Sequence, residues 1–409
     1  MLRHLPFFEA LAGMEEGTPD WRAVTAGIGV LRLVDEWAAG TPPSRNRWGV
    51  HAVRMAIEAM PDGRPARAVL GGLLELLSAG APANADILAA RLLAYGHALD
   101  LDGRYALAAD VFETLVALAG PAELPDVAYD ASMRLGYCQR MLGRLEAAAG
   151  AYAAASAVAV HLGEPAKQLR VRVADAKMAL ARGNLPAAAA ILDETIAAAQ
   201  GPALNEVCAI ALHDRAAVAF TAGQVESAVH FAYDALGRTG DSLGRDRVLS
   251  DLAAMFVQLG LRSAARDALL VLLATAQEQY TRWMASINLL ELAALDGAET
   301  VFEQYRRELA AAPLPVDLAA SYHLVTGQGC RRFGRLEAAR TALRTAGRLA
   351  EQHALHQLSF EAERELAAVD RAERGERGEE LARAAAEAPA SVQPVAAAIH
   401  ELRVLTEVG

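Results

Sequence analysis

Apolar residues recur along this chain with the period of an α-helix, and the helical segments come in pairs. Between Val127 and Met141, apolar residues such as Met133 and Leu135 stand among charged ones at helical spacing. The next segment, from Leu145 to Val160, consists almost entirely of Ala, Val and Tyr. This combination is typical of a helical hairpin that is buried on most sides. The pattern predicts antiparallel helix pairs along the chain.

A glycine separates the two helices of each predicted pair, and a small residue usually follows five positions later. These glycines are spaced by 40 and then by 37 residues, at Gly63, Gly103, Gly143, Gly183 and Gly223, then Gly260, Gly297 and Gly334. Glycine adopts the left-handed conformation that ends a helix, and a small residue lets two helices approach closely. Constant spacing indicates an internal repeat. The change of period at Gly223 predicts a local change of curvature.

The breaks between these segments divide the chain into three predicted parts. Residues 1–43 are expected to form N-terminal packing helices, with one helix from Asp20 to Ala38. Residues 44–350 hold eight hairpins, and residues 351–409 hold a degenerate repeat and a C-terminal capping helix over 392–408. The charge-rich stretch 371–380 is predicted to be a solvated linker between the last helices. Terminal units of a solenoid are commonly atypical in this way.

Composition supports a helical protein and argues against several partners. Hydrophobic residues make up 54% of the chain but aromatic residues only 5%, so the apolar content is mostly Ala and Leu, which favour helices. The net charge of −11 makes nucleic acid an unexpected partner. Three cysteines far apart fit a reducing compartment. With no signal peptide and no membrane span expected, the sequence predicts a soluble, bacterial, cytoplasmic protein.

The repeated residues resemble those of the tetratricopeptide repeat family. Leu135-Gly136 with Gly143, Ala148 and Tyr152 matches that family's spacing, and the copies around Gly103 and Gly334 match nearly as well. Phe302 stands where the copy after Gly297 should have a small residue. The resemblance implies a right-handed all-α solenoid of antiparallel hairpins. The longer period is similar to variants in bacterial signalling proteins that bind peptides or regulate transcription.

Signatures of catalysis are absent from the sequence. It contains no Gly-Lys-Ser/Thr phosphate loop, no His-Glu-x-x-His pair and no Gly-x-Ser-x-Gly elbow. His353 and His356 could share a helix face, but a metal site would need a further donor. We therefore expect no enzyme activity, no cofactor and no metal site.

The resemblance places the binding surface on the concave face formed by the first helix of each hairpin. Carried over residue by residue, this groove comprises Leu93, His97, Asp100, Asp130, Met133, Tyr137, Arg140, Lys177, His213, Arg247, Gln328, Arg331 and Arg332. Cationic side chains can hold a carboxylate, and Tyr and Met supply adaptable apolar contact.

The leading functional hypothesis is a regulatory or scaffold module that binds a peptide or a partner-protein segment. Two alternatives stay open. The chain could be a regulator that responds to a peptide or metabolite, or a scaffold that assembles with copies of itself.

Overall fold

The structure, a computed structural model, describes residues 3–41, 47–79, 84–120, 123–353, 355–374 and 389–408. These residues form α-helices joined by short connections, with one short 3-10 turn at Pro202–Leu204. The all-α repeat fold is therefore confirmed. Parts of three predicted breaks, at residues 42–44, 121 and 375–380, lie outside the described residues.

Two compact units make up the chain, Met1–Ile191 and Leu192–Gly409. The boundary between them lies within a helix, α10. The helices that precede the boundary are α1 (Leu5–Ala12), α2 (Pro19–Ala38), α3 (Arg47–Glu58), α4 (Pro65–Ser78), α5 (Ala85–Leu101), α6 (Tyr105–Ala119), α7 (Pro125–Met141), α8 (Leu145–Leu162) and α9 (Pro165–Ala181), and α10 spans Leu185–Ala198.

The second unit continues the helical hairpins and ends with two further helices. Its helices are α11 (Asn205–Thr221), α12 (Val225–Arg238), α13 (Ser242–Gln258), α14 (Arg262–Thr275), α15 (Gln279–Leu295), α16 (Glu299–Ala310), α17 (Val316–Arg332), α18 (Leu336–Gln352), α19 (His356–Glu373) and α20 (Gln393–Val408).

The glycine at the centre of each hairpin ends the first helix. Gly143, for example, has a φ of 72°. Its N–H donates to the carbonyl of Arg140 at 3.0 Å, and the N–H of Arg144 donates to the carbonyl of Gln139 at 2.9 Å. Positive φ favours glycine because it has no Cβ. These reverse hydrogen bonds satisfy carbonyls that the helix end would leave unpaired.

Within a hairpin, a small residue of the first helix packs against a large one of the second. A Cβ on Gly96 would lie 2.5 Å from Cε1 of Phe112. A Cβ on Gly136 would likewise overlap the ring of Tyr152. The close approach of α5 to α6 and of α7 to α8 therefore depends on these glycines. This geometry confirms the resemblance to tetratricopeptide repeats at the level of the hairpin.

The hairpin after Gly297 departs from this arrangement, and the structure shows how it is accommodated. Phe302 of α16 is fully buried. Its ring occupies the position that a Cβ on Gly329 of α17 would need, and it packs at 5.2 Å from the ring of Phe333. A glycine on the following helix thus makes room for the large residue on α16.

A buried histidine just before the N-terminal helix α1 connects this helix to α2 and α6 of the first unit. His4 lies with Nδ1 at 2.6 Å from Oδ2 of Asp110 in α6 and with Nε2 at 3.2 Å from Oδ2 of Asp35 in α2. Arg3 forms an ion pair with Asp35 at 2.7 Å. Three helices of the first unit therefore meet at one imidazole.

The last helix, α20, was predicted to cap the C-terminal end of the stack. α20 packs against α14 and, more lightly, against α12. The reason is its apolar stripe of Val395 and Ile399, which is buried there together with Val392 just before the helix.

One helix in the described part of the chain, α8, is long and apolar enough to cross a membrane by length and composition. Its mean hydropathy is 1.3, and a third of its residues are buried. α8 packs against α7 and α9, as the Ala-rich second helix of a hairpin would.

Candidate partner-binding face

The predicted groove residues occupy a few repeating positions of the first helices, counted back from each turn glycine. Thirteen residues before the glycine lie Asp130 and Arg247, and ten residues before it lie Leu93, Met133 and His213. Six residues before it lie His97, Tyr137, Lys177 and Gln328. Three residues before it lie Asp100, Arg140 and Arg331, and Arg332 lies two residues before it. Equivalent positions share a helix face. Asp130, Arg247 and Arg332 are exposed and the others are half-buried.

Several of these side chains meet between α5 and α7 in the first unit. Oδ2 of Asp100 lies 3.6 Å from Nη1 of Arg134. The ring of Tyr137 lies edge-on to Tyr105 at 6.0 Å, and the guanidinium of Arg140 lies 5.4 Å from the Tyr137 ring centre. Burial, the hydrogen bond with Tyr105 and the negative charge of Asp100 together raise the pKa of Tyr137 to about 12. Tyr137 is therefore a neutral hydroxyl in this cluster.

His97 lies beside this cluster and is also neutral. Its ring is edge-on to Phe112 at a centroid distance of 5.9 Å. Burial lowers its pKa below the usual value, and the positive charge of Arg134 lowers it further. At neutral pH, His97 therefore offers an uncharged imidazole.

Two exposed apolar side chains border the same face. Leu101 is 88% exposed and Met141 is 43% exposed. Each lies two residues before its turn glycine, so the two side chains occupy equivalent positions on α5 and α7. Two apolar side chains therefore reach solvent beside the polar cluster.

A cavity of about 670 Å³ opens on this face between α2, α4 and α5, and His97 and Leu101 line it. Its polar wall contains Asp20, which accepts hydrogen bonds from Arg64 at 2.6 Å and forms an ion pair with Arg104 at 2.8 Å. Burial would raise the pKa of Asp20, but the two arginines outweigh it and hold the pKa below its usual value. Ala23, Val24 and Val69 supply apolar surface.

Arg134 belongs to this site, although the sequence reasoning missed it. It lies one turn beyond Asp130 on the same face of α7, and its side chain is 47% exposed. The predicted residues of α7 after Asp130 are Met133, Tyr137 and Arg140, at steps of three, four and three residues. This set omits Arg134, which lies four residues after Asp130. The alternative helical spacing would have included Arg134.

The remaining predicted residue of α7, Asp130, lies near the cations of α9. The charges of Lys167 and Arg170 act on its carboxyl, while Lys167 itself pairs with Asp126 and, at 2.8 Å, with Glu164. Lys177 lies on α9 at the position equivalent to Tyr137 and is half-buried.

In the second unit, His213 and Arg331 contact neighbouring helices, and the predicted residues do not form one cluster among the described side chains. Nε2 of His213 lies 2.7 Å from Oδ2 of Asp251 on α13. Arg331 pairs with Glu365 of α19 at 3.4 Å, and Arg247 donates to the carbonyl of Leu243 at 3.4 Å. The contacts of His213 and Arg331 join successive first helices, whereas Arg247 bonds within its own helix, α13. Gln328 is half-buried and Arg332 is exposed.

The thiols of this protein are poorly suited to nucleophilic chemistry. Cys138, Cys208 and Cys330 are buried. Burial raises the pKa of Cys138 to about 12, so the thiolate form is scarce at neutral pH. In the described ranges, no three His, Cys, Asp or Glu side chains come close enough to hold a metal ion.

Solved structures of helical-repeat proteins are similar to this chain at low identity. The apo form of the quorum sensor NprR from B. thuringiensis is 13% identical, covers 78% of this chain and 97% of its own, and has a TM-score of 0.48. The Rap conjugation gene regulator of plasmid pLS20, in complex with a Phr peptide, is 12% identical with coverages of 87% and 98% and a TM-score of 0.43.

A third similar structure is a signal transduction ATPase with a tetratricopeptide repeat sensor from Pyrococcus horikoshii. It is 13% identical, covers 99% of this chain and 68% of its own, and has a TM-score of 0.44. No protein-family model matches the chain, and no curated protein matches it in sequence. The repeat architecture therefore rests on the hairpin geometry described above.

Proposed function

We propose that this chain is a binding module and that the face of α5 and α7 in the first unit holds a peptide segment of another protein. The exposed pair Leu101 and Met141 carries the proposal. A bound segment would remove their apolar surface from water, which is favourable by about 25 cal/mol per Å². The cavity beside Leu101 offers a place for one apolar side chain of the segment.

Arg134 gives the proposed site its charge preference. Its nearest carboxylate oxygen on Asp100 lies 3.6 Å away, which is longer than a direct hydrogen bond. The half-exposed guanidinium can therefore donate to an additional carboxylate, and charge-assisted hydrogen bonds of this kind are strong. We infer that the preferred segment combines an apolar residue with an acidic one.

Selection from a library of random displayed peptides tests this function. The full chain should select peptides with an apolar residue near an acidic one. The double variant Leu101→Glu/Arg134→Glu should lose them, because it places negative charge on both the apolar and the cationic part of the face. Titration of a fluorescent selected peptide gives the affinities, and we expect at least a tenfold loss.

Phe360→Glu is the matched control, since Phe360 is a similarly exposed apolar residue on α19 of the second unit. This variant should retain the selected peptides. Equal binding by all three proteins, or a failure of the library to yield any peptide specific to the wild-type chain, would refute the proposal.

Self-assembly is a second candidate function, and one observation favours it. α8 carries exposed alanines, and Val160 near its end is 64% exposed. A groove of about 1,140 Å³ lies between α8, α9 and α10 of the first unit, with Val171, Met178 and Ile191 among its lining residues. Light scattering should show a mass that rises with protein concentration and a constant monomer mass for Val160→Glu. A wild-type monomer at high concentration would exclude this candidate.

A further inference from the structure

One stripe of α14 is buried, whereas its counterparts in other repeats are open to solvent. Ala264, Asp267 and Val271 are buried. The equivalent residues 37 positions earlier, on α12, are exposed; they are Ser227, His230 and Asp234. On α18, 74 positions later, Ala338 and Thr341 are exposed and Thr345 is half-buried. The repeat itself therefore does not bury this stripe.

The C-terminal helix α20 lies against this side of α14. Nδ1 of His400 lies 2.8 Å from Oδ2 of Asp267, and Nε of Arg403 lies 3.1 Å from Oδ1 of the same carboxylate. Near the start of α20, Ser391 donates to Glu226 of α12 at 2.8 Å. Asp267 is only 6% exposed, and both of its carboxylate oxygens face basic side chains of α20.

Apolar contacts accompany this polar centre. Val392, Val395 and Ile399 are buried, at a spacing of three and four residues that aligns them along one side of the helix. Ile399 and Leu402 also line a cavity of about 500 Å³ together with Tyr233 and Leu236 of α12. α12 and α14 thus present an apolar strip beside the buried carboxylate of Asp267.

α20 is held by a small part of its surface. In the part of the helix that is described, Val395 and Ile399 are buried, and the stack helices α16 and α19 likewise bury two residues each. Beyond Arg403, Leu405 is 71% exposed. Elements with few buried apolar contacts open at the lowest free-energy cost. α20 is thus held through one side, by two apolar residues and by the pairing of His400 and Arg403 with Asp267, as a bound helical ligand would be.

We propose that the surface of α12 and α14 is a recognition site for a short amphipathic helix with a basic residue opposite Asp267. In this chain, α20 occupies the site. A partner protein supplies a helix of the same pattern, which displaces α20. The pattern has apolar residues at the positions of Val392, Val395 and Ile399 and a cation at the position of Arg403.

The buried carboxylate makes this site selective. A helix that covered Asp267 without a cation would leave a buried charge unpaired, which is strongly unfavourable. Apolar helices without the basic residue are therefore rejected, and acidic ones even more so. This face is on second helices of the second unit and is separate from the peptide-binding face proposed for α5 and α7.

A fluorescent synthetic peptide of residues 389–408 tests the site on the full chain. In the double variant Ile399→Glu/Arg403→Glu, the chain's own helix no longer competes, so the peptide should bind at least tenfold more tightly than it binds the wild-type chain. The single variant Arg403→Glu, which changes one partly exposed side chain, should show a smaller gain and guards against loss of folding in the double variant.

Charge reversal then tests the role of Asp267. Adding Asp267→Lys to the release variant Ile399→Glu, which keeps Arg403 of α20 opposite the new lysine, should weaken peptide binding at least tenfold, and a peptide with Arg403→Glu should recover binding to that protein. The proposal would be overturned if the release of α20 left the affinity for the peptide unchanged. It would also be overturned if the Arg403→Glu peptide did not recover binding to the Asp267→Lys protein. A wild-type dimer that Asp267→Lys converts to a monomer would overturn it too, since the site would then serve a second copy of the chain.

The variant Leu101→Glu/Arg134→Glu separates the two proposals. When it is combined with Ile399→Glu/Arg403→Glu, the peptide 389–408 should bind as before. A loss of binding there would show that the peptide uses the face of α5 and α7, which contradicts the site on α14.

Discussion

Glycine serves two purposes in this chain, and the backbone angle φ distinguishes them. Glycines at hairpin turns, such as Gly103 with a φ of 70°, adopt the left-handed conformation, and no atom lies near the place where a Cβ would be. Gly96 has ordinary helical geometry, and the ring of Phe112 fills the space of its missing side chain. The first kind of glycine permits a turn, and the second permits contact between helices.

Gly96→Ala should therefore destabilise the protein. The new Cβ would lie 2.5 Å from Phe112, whose ring is fully buried, and overpacking of this kind costs about 1–3 kcal/mol. Gly150→Ala is the matched control, because Gly150 lies in α8 with nothing near its missing Cβ. It should stabilise the protein by about 0.5–1 kcal/mol. Urea denaturation followed by circular dichroism measures both, and equal effects would contradict the distinction.

His4 should make stability depend on pH. Burial lowers its pKa, but the hydrogen bond and negative charge of Asp110, with the charge of Asp35, outweigh burial and raise the pKa above 6.5. Protonated His4 therefore stabilises the fold below about pH 6.5, and this stabilisation is lost as the pH rises through the raised pKa.

The comparison of wild type with His4→Gln gives the test, with urea denaturation at pH 6, 7.5 and 9. The difference in free energy of unfolding should be largest at pH 6 and smallest at pH 9. Arg3, Glu113 and Arg144 line the same cavity and carry charges of their own. Because both proteins contain these groups, the difference between wild type and His4→Gln isolates the contribution of His4. A difference that does not change with pH would contradict this role.

At the scale of elements, the turn glycines predicted the hairpins because one residue type, spaced by 40 and then by 37 residues, follows each first helix from α5 to α17. Phe302 and α20 could not be predicted in the same way. Phe302 is accommodated by Gly329 on the following helix, and α20 lies beside Asp267, 133 positions before its partner His400. Both depend on contacts outside the hairpin, which the local repeat pattern does not contain.

In the candidate partner-binding face, too, the sequence predicts helical positions but not the contacts between helices. Helical position alone places His97, Tyr137 and Asp100 at repeating positions of the first helices. It could not show that Arg140 acts on the hydroxyl of Tyr152 or that Arg331 pairs with Glu365. Whether a cation is open to a ligand depends on side chains contributed by neighbouring helices.

Phe302→Ala should be one of the most damaging substitutions in the second unit. It removes a buried ring that fills the space over Gly329, and such cavities cost about 3–5 kcal/mol. Val301→Ala changes the adjacent, exposed residue and should alter stability by less than about 0.5 kcal/mol. Thermal and urea unfolding of the two variants gives the comparison. A mild effect of Phe302→Ala would show that the helices collapse around the gap.

At the scale of the whole molecule, charge governs which partners can approach. The net charge of −11 repels polyanions, and nucleic-acid binders depend on releasing counterions through basic side chains. We expect no complex with duplex DNA at about 10 μM protein in physiological salt, a range in which basic proteins bind nonspecifically. A gel-shift assay checks this. A shift that disappears as salt is raised would reveal a basic patch that the total charge conceals.

Helix lengths explain how the chain holds two repeat periods. The first helices α5, α7, α9, α11, α13, α15 and α17 all have 17 residues, whereas the second helices vary from 12 residues in α16 to 18 in α8. The length differences between repeats therefore lie in the second helices and in the connections that follow them.

A foreign sequence inserted between Thr239 and Gly240 would leave both neighbouring helices intact. Thr239 closes α12 through its hydroxyl, and the Asp241 side chain caps α13 by accepting from the N–H groups of Leu243 and Gly244. The same insertion at a turn glycine would displace one helix of a hairpin against the other. The junctions after second helices are therefore where this scaffold can be lengthened, tagged or recombined.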